Sequence, residues 1–178
     1  LVQFAQMGPV YFENVMGKKN PTVGIVNIGT EEEKGNQLVK ETYPLLKECE
    51  GINFIGSVEA REIASGGADI LVCEAFVGNF ILKFFEGVAL TFLGCIKEGL
   101  MSSLRTKLGA LMVKPALKGL VKTFDVSSQG GAPLLGLKGL VVKAHGNSKA
   151  KEIKTALCQC IAFKENSINE KITDMIQK

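Results

Sequence analysis

Short runs of β-branched and apolar residues alternate with longer helical stretches along this chain, and that alternation constrains the fold more than any other feature. Residues 22–28 (TVGIVNI) form a continuous apolar run behind Pro21, the pattern of a strand buried on both faces. Residues 52–55 and 69–73 (DILVC) give two further short strands, and 140–144 a fourth. Between them the spacing predicts helices: 1–16, broken near Gly8-Pro9; 30–48, with Glu31, Glu32 and Glu33 in a first turn where the helix dipole favours acids; and 77–103. A basic apolar region covers 104–124, and a glycine-rich connection covers 129–136. From Ser148 a last helix places Ile153, Leu157, Cys160 and Ile161 on one face. Strand–helix alternation implies βαβ units, hence an α/β protein with a mostly parallel sheet covered on both faces. At 178 residues it reads as one domain, without internal repeats.

Composition removes several classes of function. Hydrophobic residues make up 46% and charged residues 22%, so the chain is neither disordered nor fibrous. Aromatics are 7% with no tryptophan, which argues against a stacking platform for single-stranded nucleic acid. A net charge of +3 is far from that of a dedicated nucleic-acid binder. The five cysteines (Cys49, Cys73, Cys95, Cys158, Cys160) contain no CxxC and read as reduced thiols of an intracellular protein. The longest uncharged piece of the most apolar region, 87–96, is too short for a span of about 20 residues. The amino terminus lacks a basic n-region and a methionine, so the expectation is a processed or truncated product without a signal peptide.

In an open α/β sheet, ligands bind at the carboxyl ends of the strands. Three strands here end in polar, glycine-bearing turns: Asn27-Ile28-Gly29-Thr30, Cys73-Glu74-Ala75-Phe76-Val77-Gly78-Asn79, and Ala144-His145-Gly146-Asn147. If all three strands are parallel, these turns share one edge. Such an edge suits anion handling, because glycines admit a ligand to the backbone and helix N-termini present free N–H groups. Asn79 and Lys83, four apart, share a helix face. Each residue also has a plain structural reading: Asn79 as a helix cap, His145 as a hydrogen-bonded structural residue, Glu74 as a loop acid, Lys83 as a surface lysine. The chain contains no GxGxxG, GxxxxGK[ST] or GxSxG, and a single histidine gives no zinc signature. Those absences argue against a dehydrogenase, a P-loop NTPase, a serine hydrolase and a metalloenzyme.

Residues 101–124 carry Arg105, Lys107, Lys114, Lys118 and Lys122 and no acid, which leaves −2 for the remainder of a +3 chain. Leu108, Leu111, Met112, Val113 and Leu117 lie between these charges, with Pro115 in the middle. Two short amphipathic helices meeting at Pro115 are expected, a protruding hairpin over 101–124 that rests on an anionic membrane through Leu111, Met112, Val113 and Leu117, buries its apolar face in a dimer, or does both, with its base in the dimer and its tip in lipid.

The segments VGIVNIGTEEEKGNQLVKETYPLLKE, INFIGSVEAREI, GGADILVCEAFVGNFILK, LRTKLGALMVKPALKGL and GGAPLLGLKGLVVKAHGNS run in order along the chain. Together they resemble the bacterial phosphate acyltransferase (PlsX) family. The resemblance implies a three-layer α/β/α sandwich like that of the isocitrate and isopropylmalate dehydrogenases, working as a homodimer without a cofactor. It implies transfer of a long-chain fatty acyl group from acyl carrier protein to inorganic phosphate, and an acyl phosphate product. A downstream glycerol-3-phosphate acyltransferase would consume that product in phospholipid synthesis. It also implies a cytoplasmic protein in peripheral contact with the membrane. Family members are about twice as long, so the chain corresponds to the carboxyl-terminal half and lacks the glycine-rich DAMGGD-type turn. Where the family reads CDGFVGN, this chain has Cys73-Glu74-Ala75-Phe76-Val77-Gly78-Asn79, which moves the carboxylate out by one methylene and adds a Cβ at Ala75.

The expected mechanism has Lys83 and the helix start near Asn79 holding phosphate and Asn27 and Asn79 steering the thioester or its pantetheine arm, with Gly29 and Gly78 also among the substrate-binding residues. His145 donates to the developing oxyanion or the departing thiolate, and Glu74 orients a donor. Two other readings stay open: a phosphotransacetylase-like transfer using coenzyme A, and an inactive domain that only dimerises and binds membranes.

Overall fold

The computed structural model describes residues 1–123 and 130–177, with side chains 120–123 left out. The expectations placed on Phe124 and Gln129, and on the side chains of Leu120, Val121 and Lys122, therefore lie outside the described residues. In chain order the elements are α1 (Val2–Tyr11), β1 (Thr22–Asn27), α2 (Gln37–Lys47), β2 (Asn53–Glu59), α3 (Ala60–Ile63), β3 (Ile70–Val72), α4 (Ala75–Leu100), α5 (Leu104–Thr123), β4 (Ala132–Pro133), β5 (Val142–Lys143), α6 (Ala150–Glu165) and α7 (Ile168–Ile176). They divide into two compact units: Leu1–Glu74 with Gln129–Lys178, and Ala75–Ser128.

The first unit is built on a parallel sheet of order β2-β1-β3. Its central strand carries the apolar run noted above, and Val23 and Ile25 are fully buried with Ala5, Tyr43, Leu46 and Val72. A bulge lets β1 and β2 approach closely: Val23 faces Phe54 but Gly24 faces Gly56, so Ile55 is the extra residue. Gly56 takes the left-handed conformation this bulge needs, at φ +96°. Any Cβ on Gly24 would lie 2.4 Å from the side chain of Val58. A second cluster, around Met7, Phe163, Ile168 and Ile172, packs α7 and the end of α6 beneath α1.

Several boundaries differ from the sequence expectation, each for a local reason. The first helix continues through Pro9 and ends in a π-helical turn, Phe12–Met16. The loss at Pro9 is thus absorbed by a wider turn just beyond it. Helix α2 starts at Gln37, not near Thr30, because Gly35 adopts φ +105° and Asn36 caps the helix by accepting from Val39 N at 2.9 Å. The last helical region splits at Ser167, whose left-handed conformation separates α6 from α7. The fourth strand does not join the parallel sheet. It shrinks to β5 and pairs antiparallel with β4, since a short connection can close an antiparallel pair whereas a parallel one needs a crossover.

Helix α6 also turns the other way from the expected orientation. It buries Ala156 and Phe163, while Ile153, Leu157 and Ile161 are exposed, Leu157 to 62%. Among the described residues nothing covers that apolar stripe.

In the second unit, α4 and α5 are joined by the turn at residues 101–103. Ser103 opens α5 by accepting from Thr106 N at 3.2 Å, and Ser102 Oγ donates to Gly99 O at 2.7 Å. Helix α5 passes through Pro115 without a break, so a pair of short helices meeting at that proline is not what forms. On an exposed helix, water can take up the carbonyl that proline leaves unbonded. No residue of α4 is buried, and the helix is long and apolar enough to cross a membrane by length and composition.

The sheet is locked at the start of β1 and β3 by Asp69. Its carboxylate accepts from Thr22 N and Thr22 Oγ1, both at 2.9 Å, and pairs with Lys18 at 2.5 Å. Asp69 N donates back to Thr22 Oγ1 at 2.9 Å. The Lys18 ammonium, then the Thr22 donors, hold the Asp69 carboxyl down at about 2. A carboxyl depressed in the folded state stabilises above its unfolded pKa of about 4, and that contribution is lost as pH falls towards 2. Urea midpoints measured from pH 5 to pH 2 should therefore fall in this window, and Asp69→Asn should flatten that dependence.

Candidate active site

Strands β1 and β3 are parallel neighbours with Ile25 opposite Val72, so two residues further on Asn27 and Glu74 leave the sheet at the same edge. This is the expected meeting of two strand ends. His145 does not join them by the expected route, because β5 belongs to the separate antiparallel pair. Convergence of three parallel strand ends therefore reduces to two.

Asn27 is buried, and its amide is committed to the protein. Nδ2 donates to Lys34 O and to Ser57 Oγ, both at 3.1 Å, and Oδ1 accepts from Ile28 N at 2.8 Å. Both donors are in use, so Asn27 shapes the turn that carries Gly29 and leaves substrate donation to other groups. Sequence reasoning missed the residue that makes this possible. Gly35 brings its backbone so close that a Cβ there would lie 2.5 Å from Asn27 Oδ1, at a φ already hostile to side chains. The signal was present as a glycine within a turn of acidic and amide residues, but its partner is eight positions away.

The Gly29 turn is ringed by charge. Lys34 pairs with Glu31 at 2.7 Å, and their mutual hydrogen bond raises the Lys34 pKa and lowers that of Glu31. At the end of β2, Glu59 pairs with Arg61 at 2.7 Å. A Cβ on Gly29 would meet only the flexible ends of Lys34 and Glu31, so glycine is not sterically demanded there.

Glu74 is half-buried at the end of the first unit, beside Cys73, whose thiol pKa is raised by burial and then by the Glu74 charge. Ala75 is the first residue of α4 and has no positive φ, so an alanine fits this helical start without strain. Because α4 starts there, its first turn covers residues 75–77, and Gly78 and Asn79 already lie inside the helix. In this second unit Asn79 and Lys83 are exposed one turn apart, and Lys83 pairs with Glu86 at 3.3 Å. Surface pairs of this kind contribute little, so Lys83 can exchange Glu86 for a stronger anion.

His145 is exposed, with Nδ1 accepting from Asn147 N at 3.2 Å. With Nδ1 accepting, a neutral ring carries its proton on Nε2. Among the described residues no group of three metal-ligating side chains comes together.

A parallel α/β sheet with polar turns at its carboxyl edge places the chain in the broad class of α/β proteins that bind ligands at strand ends. Comparison with known proteins narrows this. A family model described as "Fatty acid synthesis protein" matches residues 1–171, and the chain belongs to that family, the PlsX phosphate acyltransferases. It is 54% identical over all of its 178 residues to a phosphate acyltransferase of Clostridium acetobutylicum, covering 54% of that protein. It is 55% identical to the phosphate acyltransferase of a Clostridium perfringens strain, covering 52%. For that of Caldicellulosiruptor bescii the identity is 50% over 168 residues, or 50% of its length. The chain thus spans about half the length of the curated relatives it matches.

Gly35→Ala should cost about 1–3 kcal/mol in urea unfolding, since it adds both an unfavourable φ and a collision with Asn27. A stability within 0.5 kcal/mol of the parent, the usual range for neutral surface changes, would show that the turn has room to give.

Proposed function

We propose that the chain is the carboxyl-terminal part of a phosphate acyltransferase that moves a long-chain fatty acyl group from acyl carrier protein to inorganic phosphate. The observation carrying this reading is the identity of about half of all positions, over the whole chain, with proteins named phosphate acyltransferase. The complete domain would be the three-layer sandwich of the isopropylmalate dehydrogenase type, with the uncovered stripe of α6 packed against the remaining half.

In the proposed reaction a phosphate oxygen attacks the thioester carbonyl carbon. A C–O bond forms, the C–S bond breaks, and the carrier thiolate leaves and takes up a proton. Phosphate is already a nucleophile, so the site needs mainly to position it. Lys83 would hold the phosphate, with Gly78 and Asn79 beside it in the first turns of α4. His145 Nε2–H would donate to the oxyanion or to the departing sulfur. Glu74 would orient a donor, and Asn27 would hold the Gly29 turn.

Lys83→Ala should raise the KM for phosphate by about tenfold to a hundredfold, the scale of one lost charged hydrogen bond, with kcat less affected. His145→Ala should instead lower kcat by about 10²-fold or more. Both are read from phosphate-dependent loss of thioester from long-chain acyl carrier protein, using this chain joined to the missing half. An unchanged phosphate KM would remove Lys83 from the site. Failure of the restored protein to turn over would leave only a dimerising, membrane-binding role.

The exposed face of α4 supports the expectation of a homodimer. Phe76, Phe80 and Phe84 form a ladder of stacked rings with centroids 6.5 and 6.0 Å apart, all largely in solvent. An apolar patch of this kind marks an interaction surface. Leu111, Met112, Val113 and Leu117, among lysines for which the described residues form no salt bridge, would rest on an anionic membrane from the cytoplasmic side. The acyl phosphate would pass there to a glycerol-3-phosphate acyltransferase.

A further inference from the structure

We propose that Lys34 and Ser57 form an anion site at the carboxyl end of β1 that takes a phosphoryl group, with Asn27 as its positioning residue. Both are tied to one buried amide. Asn27 Nδ2 donates to Lys34 O and to Ser57 Oγ, each at 3.1 Å, and Asn27 is only 6% exposed. The bond to the main chain of Lys34 fixes where that residue leaves the turn. Its side chain then lies across Gly29, with Nζ 3.0 Å from the position a Cβ would take there. An ammonium thus stands over the second residue beyond β1, where open α/β sheets receive ligands. Ser57 accepts from Asn27, so its own O–H is left to donate, and among the described residues nothing accepts from it.

The resting partner of Lys34 is Glu31, at 2.7 Å, with both side chains about half exposed. Pairs of this kind contribute little, so a better anion can displace the carboxylate into water. The hydrogen bond to Glu31 raises the Lys34 pKa, and the charges of Glu31, Glu59 and Glu33 add to that effect, so the ammonium persists well above neutral pH. A phosphoryl group carries several acceptor oxygens on one phosphorus, which lets it accept from Lys34 and Ser57 together. The neighbouring acids are largely compensated. Glu32 is taken by Lys47 at 2.8 Å, and Glu59, opposite Asn27 at the end of β2, is taken by Arg61 at 2.7 Å.

The source of the phosphoryl group rests on the acyltransferase reading, in which two of them reach the protein. One is the attacking inorganic phosphate, and the other is the phosphodiester that joins pantetheine to its carrier. Lys83 accounts for one of the two, and the Lys34–Ser57 site supplies a second cation and a hydroxyl donor for the other.

The test follows the amide resonances of Gly29 and Gly35 in isotope-labelled protein, this chain joined to the missing half. The ligands are inorganic phosphate, phosphopantetheine and pantetheine. Saturable shifts are expected with one or both of the phosphorylated ligands and none with pantetheine. Lys34→Ala should weaken that binding by about tenfold and Ser57→Ala by about fivefold, with Ser57→Thr restoring it. Lys34→Ala keeps the carbonyl that Asn27 bonds, so the turn stays in place. Glu31→Gln should tighten binding by about twofold to fivefold by freeing Lys34. Glu32→Gln, which removes the same charge from the same turn, should not. No saturable shift with either phosphorylated ligand, indifference to Lys34→Ala, or equal tightening by Glu31→Gln and Glu32→Gln would each overturn the proposal. In turnover, a raised KM for phosphate in Lys34→Ala would assign the site to the free anion. A raised KM for acyl-phosphopantetheine but not for acyl-pantetheine would assign it to the donor's arm; both uphold the site. Binding without turnover in the parent protein would remove the acyltransferase reading alone, and turnover without binding at these amides would remove the site alone.

Discussion

The first unit depends on keeping β1 buried between two parallel neighbours. Val23 and Ile25 are fully buried, and the strand meets β2 on one side and β3 on the other. Two devices fix this position. At its start, Asp69 and Thr22 exchange three hydrogen bonds, so that β3 begins in register with β1. At its middle, Gly24 brings β1 against Val58 over the bulge. What emerges at the far end, Asn27 beside Glu74, is placed by these contacts and not by the turn sequences themselves.

That dependence explains what could be read from the sequence. The run 22–28 is apolar at nearly every position, and burial on both faces is the only place for it, so β1 was legible. The expected meeting of Asn27 and Glu74 followed from it. His145 was misplaced because a short apolar run such as 140–144 does not state its partner; a nearby strand across a tight connection won over the distant sheet. Helix α2 was started too early because the acids at 31–33 imitate a helical first turn, whereas the left-handed backbone at Gly35 forbids one. Gly35 could not be assigned a role without knowing that Asn27 lies against it.

The apolar residues of α6 show the same limit from the other direction. Periodicity correctly put Ile153, Leu157 and Ile161 on one face, yet the chain buries Ala156 and Phe163 instead. A hydrophobic stripe reports that something covers it, and the cover can lie outside the segment being read.

Of the three strands in this sheet, the central one is synthesised first. β1 is synthesised before either neighbour, and its pairing with β3 must wait until the chain has crossed over the sheet twice. Until then TVGIVNI is an unpaired apolar strand with no charge within it, the kind of segment that associates between chains. Parallel pairing of distant strands is slow to form. Closing this sheet therefore removes an apolar strand that would otherwise be open to pairing between chains.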